Sequence, residues 1–501
     1  MPATPNSLVG NEALQCTLEG LHADQQRQDA VTADLQQTLN AMHKETVNIS
    51  LTTSASGTPA DLIGAIVTIR ERDTSNILWQ GTWQGDTLTA ELTAEYRYSV
   101  EFAPVSGYSV LASQRYNAVF GNVRTVTAQY IYLSDAVDVF CIDDNINDPA
   151  TKISGTVNGP VAQWIRRNSH RYLMKKTGEG KAAICQLDDS DSRYYFDGSP
   201  AILTGEQGDV ITKWAPFFFD VNEVSTHRWE ILLALTDVTG QMTRWNDSQV
   251  LGTYEGCVQN DKLYSRSGVA STGGMSQANF KACARARGKG YTIMKWMQHN
   301  IHALLTYSVY GHTNVQAKVG SGTSNYTKTT GQTDALGMED TVKGGNGSSG
   351  SINNYGLENS HGNKAEWIDN VTVDYAATGN IFHITEDDGT VRDVVTQVGA
   401  NANVWPTKMV LGKHFDLIAA PDSIVGGDST GYCDGFYLST SSARVVCVSN
   451  NYANSYGGVA YAYANYAATG TGASIGARLA FQGELTEYDD VTAFIELNEV
   501  A

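Results

Sequence analysis

At 501 residues the chain is long enough for several folded units rather than one core. Its formal net charge of −19, with 34 Lys and Arg against 53 Asp and Glu, disfavours nucleic acid and anionic membrane surfaces, which both reward positive charge. No apolar run is long enough to cross a bilayer, so membrane insertion is not expected.

The opening residues MPATPNSLVGNEALQC carry neither a basic stretch nor a long apolar run, so no secretion signal is expected. Within residues 1–45, Leu14, Leu21, Gln28, Leu35 and Met42 recur every seventh position, with Leu18, Gln25, Thr32 and Leu39 on the adjoining seam. This register predicts an N-terminal coiled-coil helix that joins copies of the chain, with a homotrimer expected. Such a seam also suits a dimer, and a lone amphipathic helix packed on the next unit is the competing reading.

From 46 to 133 the pattern switches to short strands: Val47-Asn48-Ile49-Ser50-Leu51, Ala65-Ile66-Val67-Thr68-Ile69, Tyr96 to Phe102 and Val123 to Ala128. Turn signals at Gly57-Thr58-Pro59, Gly85-Asp86 and Ser106-Gly107 separate them, which predicts a small antiparallel sandwich. The order resembles immunoglobulin-like or prealbumin-like modules of surface proteins, and the region is read as a spacer. Residues 134–259 are expected to form a β-rich lead-in to the head, with buried segments at Trp214-Ala215-Pro216-Phe217-Phe218-Phe219 and Trp229 to Leu235. Asp188-Asp189-Ser190-Asp191 lacks the spacing and terminal Glu of an EF-hand and reads as a solvated turn.

Residues 260–501 form the expected head. Ser276 can cap a helix through Ala278, Phe280, Ala284 and Ala286, ended by Gly288 and Gly290, and a second helix is predicted from Tyr291 to Val309. His299 and His302 stand three apart on it, a spacing that can ligate metal. No HExxH and no partner Cys or carboxylate accompanies them, so they read as helix surface. The Gly, Ser, Asn and Thr-rich run to Asn354 reads as a loop; its Gly344 to Gly350 lacks the Lys of a phosphate-binding loop.

Near the end, Ser449 to Gly476 is built almost entirely from Asn, Tyr, Ser, Thr, Gly and Ala, with Val459 and Ile475 as apolar exceptions. Tyr supplies stiff contact area and Ser, Gly and Asn supply adaptable hydrogen bonding, the division of labour of antibody binding loops. Tyr461, Tyr463 and Asn465 alternate with Ala460, Ala462 and Ala464, the period of a strand. Candidate ligand-binding residues are Asn450, Tyr452, Asn454, Tyr456, Tyr461, Tyr463, Asn465, Tyr466, Thr469 and Ser474. A low-complexity surface loop would share this composition, but the strand-like Ile475 to Phe481 that follows argues for an ordered segment.

Upstream, Gly356 and Gly362 allow tight turns, Leu357 and Trp367 can anchor a core, and Asn363 and Glu366 can tie loops by hydrogen bonds. The stretch Tyr355 to Asn370 resembles the "Gly-Leu, Gly-Asn, Glu-Trp" signature of the C-type-lectin-like fold shared by formylglycine-generating enzymes and the variable proteins of diversity-generating retroelements. Arg444 before the Tyr-rich segment, and Gly476 and Arg478 after it, continue that pattern over about residues 260–481. Lys364-Ala365 and Ala477 depart from it. The resemblance implies a scaffold of Gly356, Leu357, Gly362, Asn363, Glu366, Trp367, Arg444, Gly476 and Arg478 beneath a hypervariable segment at 449–476. Glu, Gln, Lys, Met and Trp are absent from that segment, which matches diversification at adenines of Asn-type codons. The enzymes of the family use a cysteine pair; here seven dispersed cysteines form no CxxC, and Cys433 and Cys447 are the pair considered for bridging or catalysis. No catalytic residue, cofactor or metal is assigned. Trp245-Asn246-Asp247 lacks the Glu-Pro-Asn that accompanies it in calcium-dependent lectins, so no calcium-dependent sugar site is expected.

The expected fold class is therefore multidomain α+β: coiled-coil helix, immunoglobulin-like sandwich and C-type-lectin-like head. That order resembles a bacteriophage tail fibre or other virion adhesin. It implies a protein or glycan receptor on the host-cell surface, and contacts to other virion proteins through the N-terminus. A structural collar or capsid decoration is the rival from another class, and a formylglycine-generating-type oxidase the third.

Overall fold

The computed structural model describes residues 17, 19–35, 44–54, 56–72, 76–93, 96–105, 107–108, 113–119, 121–132, 137–323, 326–341, 350–376, 379–396, 404–417, 421–450 and 455–500. Residues 19–35 are helical. Leu21, Val31 and Leu35 on that helix are 62%, 59% and 64% exposed, so this face is not packed on the rest of the chain. Leu14, Leu18, Leu39 and Met42 of the expected seam lie outside the described residues.

Next comes a module of two sheets. Lys44–Thr53 pairs antiparallel with Leu88–Thr93 on one side and parallel with Val123–Tyr130 on the other. The facing sheet runs Ile77–Thr82, Ile66–Glu71, Arg97–Phe102, Gln114–Asn117. Alternation decides what goes inside: Val47, Ile49 and Leu51 of the first sheet meet Val67, Ile69, Tyr98 and Val100 of the second in one core. Each such aliphatic side chain contributes about 1.5–3 kcal/mol by burial. Glu45 enters the same interior only because Arg124 Nε at 2.9 Å, Asn122 Nδ2 at 2.9 Å and the Tyr98 hydroxyl at 3.0 Å satisfy its carboxylate.

From Val137 onward the chain builds three larger sheets. The first runs Asp191–Tyr195, Lys181–Asp188, His170–Gly178, Asp209–Lys213, Gln249–Glu255, Arg478–Gln482, Tyr291–Ile293, with Glu484–Glu487 parallel to Lys181–Asp188. Strands from before and after residue 260 thus share one sheet, and the stretch read as a lead-in supplies much of it. A second sheet contains Phe217–Ser225, Arg228–Ala234 and Val137–Asp143, and it buries the expected Phe217, Phe219, Trp229, Ile231 and Leu233. The third runs Val391–Val395, Ile381–Thr385, Ala365–Asp374, Arg444–Val448, Ala462–Ala467, Phe436–Leu438. Ile475–Gly476 pairs parallel with the start of Ala365–Asp374.

Helix Trp296–Tyr310 shares one apolar core with the second and third sheets and is buried all round rather than on one stripe, its polar Gln298, His299, Asn300, His302, Thr306 and Ser308 included. Its expected start at Tyr291 is corrected: Tyr291–Ile293 is a strand beside Arg478–Gln482, and Asn370 Oδ1 receives the Trp296 amide at 2.8 Å where the helix begins. The other helix, Gln277–Arg285, begins at Ser276 as expected, with the serine hydroxyl accepting from the Asn279 amide at 3.2 Å.

Asp188 is not a solvated turn residue. It is buried where the two-sheet module meets the head, and pairs there with Arg72. Arg72 also donates to the Phe196 carbonyl at 3.3 Å, and the Arg97 guanidinium lies 3.6 Å over the Tyr194 ring.

Candidate binding surface and the floor beneath it

The floor is the Gly356 to Trp367 stretch. Its chain reverses through left-handed residues: Tyr355, Gly356, Asn359, Gly362 and Asn363 all have positive φ. Gly362 has a further reason to be glycine, since a Cβ there would stand 2.9 Å from Gly322 Cα. Leu357 and Trp367 are buried, and Trp367 Nε1 donates to the Met275 carbonyl at 3.2 Å. Asn363 Nδ2 donates to Glu255, whose carboxylate also accepts from the Lys364 amide at 2.9 Å and the Ser271 hydroxyl at 2.8 Å. Burial and the nearby Glu366 push the Glu255 carboxyl up to about 7.

Arg478 fastens this floor to the first sheet. Its guanidinium meets Glu366 at 2.6 and 3.1 Å and also donates to the carbonyls of Gly252 at 3.0 Å, Thr253 at 2.7 Å and Glu358 at 2.9 Å. Five forked donors are what such a task needs, and lysine could not perform it. Gly476 lies opposite Glu366 in register, and a Cβ there would come 2.9 Å from the Thr272 carbonyl oxygen. Arg444, half-buried, pairs with Val373 on one side and Ala467 on the other.

Two groups hold the Tyr-rich segment by its backbone: Asp434, which the sequence pattern did not single out, and His299, which read as helix surface. The buried Asp434 carboxylate accepts from the Gly458 amide at 2.7 Å and the Ala460 amide at 2.8 Å. His299 donates Nε2–H at 2.8 Å to the carbonyl of Val459, which stands between those two residues in sequence. His299 and His302 are both buried, not on a helix surface, and His302 Nε2 meets the Asn354 carbonyl at 3.2 Å. Burial holds His299 down at about 4 and His302 at about 3, so both are neutral at pH 7, while burial pushes Asp434 up to about 7. Neither histidine was legible as a clamp, because its acceptors come from distant, irregular chain.

Along Ala462–Ala467 the expected alternation is present. Ala462 and Ala464 are buried, while Tyr463, Asn465 and Tyr466 are half-buried on the other face. Tyr463 stacks on Tyr437 of the neighbouring strand with ring centroids 4.6 Å apart, and Tyr466 meets Trp367 edge to face at 5.5 Å. Asn465 Nδ2 reaches the Tyr463 hydroxyl at 3.2 Å. Tyr461 and Tyr456 flank them, half-buried, and Tyr456 lies edge-on to Trp405 at 6.0 Å. Tyr437 and Trp405 thus extend the aromatic row beyond the Tyr-rich segment. Thr469 is exposed and Ser474 half-buried. Asn450 is not on the face: it is buried, its carbonyl receives the Gly362 amide at 2.9 Å, and Gly457 packs against its side chain. Tyr452 and Asn454 lie outside the described residues. Cys433 and Cys447 are free, buried thiols, each pushed up to about 12 by burial, so they do not bridge. At Trp245-Asn246-Asp247, Asn246 Oδ1 accepts from the Ser248 amide at 3.1 Å and closes a turn.

No family model matches the chain, and no curated protein does. Among solved structures it is similar to the Bacillus anthracis TIE protein, at 11% identity and a TM-score of 0.16, over 34% of this chain and 28% of that one. It is also similar to the shaft pilin SpaA of Lactobacillus rhamnosus GG, at 11% identity and a TM-score of 0.15, over 34% of this chain and 87% of the pilin. The chain thus spans well under half the length of the TIE protein.

Proposed function

We propose that the chain is a virion adhesin, a phage tail fibre or receptor-binding protein whose Tyr/Asn-rich face binds a receptor on the host-cell surface. In this reading the two-sheet module is an immunoglobulin-like spacer and the head a C-type-lectin-like domain of the retroelement-variable kind. The solvent-facing helix at 19–35 brings copies together as a trimer. The observation that carries it is the split within one segment: the backbone at 458–460 is clamped by Asp434 and His299, while the side chains of Tyr461, Tyr463, Asn465 and Tyr466 remain half-buried and partly open to solvent. A fixed backbone under exchangeable aromatic side chains is what a surface needs to change ligand without losing its fold. Linked copies would add avidity to a weak contact. Buried thiols held near 12 support a non-catalytic reading of Cys433 and Cys447.

One observation favours the rival reading of a structural virion component. Tyr463 and Tyr466 pack against core residues around Trp367 as well as facing outward. Attachment to susceptible cells by purified Tyr461→Ala and Tyr456→Ala proteins separates the two. The adhesin reading expects attachment to fall at unchanged melting temperature. Normal attachment by both variants would overturn it.

A further inference from the structure

A cleft of about 620 Å³ that shares no residue with the aromatic face opens between the two-sheet module and the head. Its volume lies in the range that small-molecule sites occupy, about 300–1,000 Å³. In a chain of net charge −19 its walls gather Arg115, Arg124, Arg166 and Arg167, opposed by the carboxylates of Asp189 and Glu339. Not all four arginines are committed. Arg124 is paired with Glu45 at 2.9 Å and Arg166 with Asp340 at 2.7 Å, and Asp189 already meets His170 Nδ1 at 2.8 Å.

Arg115 and Arg167 differ from these. Arg115 stands 4.6 Å over the Phe196 ring, and its Nη1 is buried with no hydrogen-bond partner among the described residues. Arg167 donates to the neutral Gln163 Oε1 at 2.9 Å. Burial lowers both guanidinium groups from their usual range, the mark of cations that lack full compensation. A buried donor without a partner is a standing free-energy penalty that an incoming acceptor removes. The guanidinium fork matches carboxylate and phosphate oxygens; Tyr116 donates to Gln114 Oε1 at 2.6 Å and Asn117 Oδ1 accepts from Arg72 at 2.8 Å, and the Tyr116 oxygen and Asn117 Nδ2 are the groups that can meet a ligand's hydroxyls.

We propose that this cleft binds a small sugar bearing an oxyanion, with Arg115 and Arg167 receiving the charged group. The site is separate from the receptor face, and it places a ligand at the joint between the two units. Calorimetric titration of the full chain with glucose 6-phosphate, glucuronate and neutral glucose tests it. Binding of at least one acidic sugar but not glucose is expected. It should weaken about tenfold or more in Arg115→Gln and in Arg167→Gln, as befits loss of a charge-assisted hydrogen bond. Glucose 6-phosphate alone would mark a phosphate ligand, glucuronate alone a carboxylate one. Tyr461→Ala should bind as the unaltered chain does, whatever becomes of its attachment to cells. Neither arginine is ion-paired among the described residues, so both variants are expected to fold; if one does not, the other decides. No heat with either acid, equal affinity for glucose, or full affinity in a folded variant would each overturn the proposal.

Discussion

The floor and the face of the head are a few ångströms apart and obey opposite rules. In the floor the charged groups have fixed partners: Arg478 meets Glu366 and main-chain carbonyls, and Asp434 meets two amides. On the face the side chains touch mostly one another, as in the Tyr437–Tyr463 stack and the Asn465–Tyr463 contact. Changing one residue of the floor strands a buried charge or donor. Changing one residue of the face removes a ring from a half-wet row. Tolerance to variation therefore follows from where hydrogen bonds are spent, and not from how close a residue lies to solvent in sequence.

The strongest way to break this contrast is Glu366→Ala. It leaves Arg478 buried without its carboxylate, a change worth about 3–5 kcal/mol. Urea unfolding should show that loss, or no folded head at all; a loss below 1 kcal/mol would mean the pair is not buried as described. Asp434→Ala comes next. Two amides lose their acceptor, at about 1–3 kcal/mol for each buried group left unsatisfied, and hydrogen exchange should accelerate at Gly458 and Ala460 before the rest of the head.

Acid sharpens the comparison with a sign. His299 sits at about 4 in the folded chain against an ordinary 6.5, so the unfolded state binds more protons between those values. Its contribution is present above pH 6.5 and is lost as pH falls toward 4. Asp434, raised from 3.8 to about 7, works the other way: its contribution is present below 3.8 and is lost as pH rises through 7. His299→Gln should therefore lose less stability than the unaltered chain on going from pH 7 to pH 5, and Asp434→Asn should lose more. Parallel pH profiles for all three proteins would refute the clamp. The smallest effect belongs to Thr469→Ala on the exposed turn, within about 0.5 kcal/mol in stability whatever it does to attachment.

Much of this arrangement was legible in the residues, and the limit is physical. Local patterns reported faithfully: the alternation at 460–465, the Ser276 cap, and the left-handed turns at Gly356 and Gly362. The non-local partners left no such trace. Asp434 is one carboxylate among 53 Asp and Glu, and only the fold brings it to Gly458. Asp188 looked like surface because three acids stand within four residues, yet one of them closes the joint with Arg72, 116 residues away. Asn450 carried the composition of the face and ended in the floor, since membership depends on Gly457 packing over it.

Arg478–Gln482 lies inside the first sheet, between Gln249–Glu255 and Tyr291–Ile293, although it comes late in the chain. During synthesis the ribosome must finish that strand before the sheet can close, so for most of translation two unpaired strand edges wait for it. The two-sheet module, whose strands are all made by Tyr130, has no such delay. A message that breaks anywhere in the Tyr-rich segment leaves the first sheet without the strand that joins Gln249–Glu255 to Tyr291–Ile293, and exposes it to proteolysis. Only chains read through the whole Tyr-rich stretch in frame can complete that sheet, which makes closure of the fold a check on the integrity of everything that precedes Arg478.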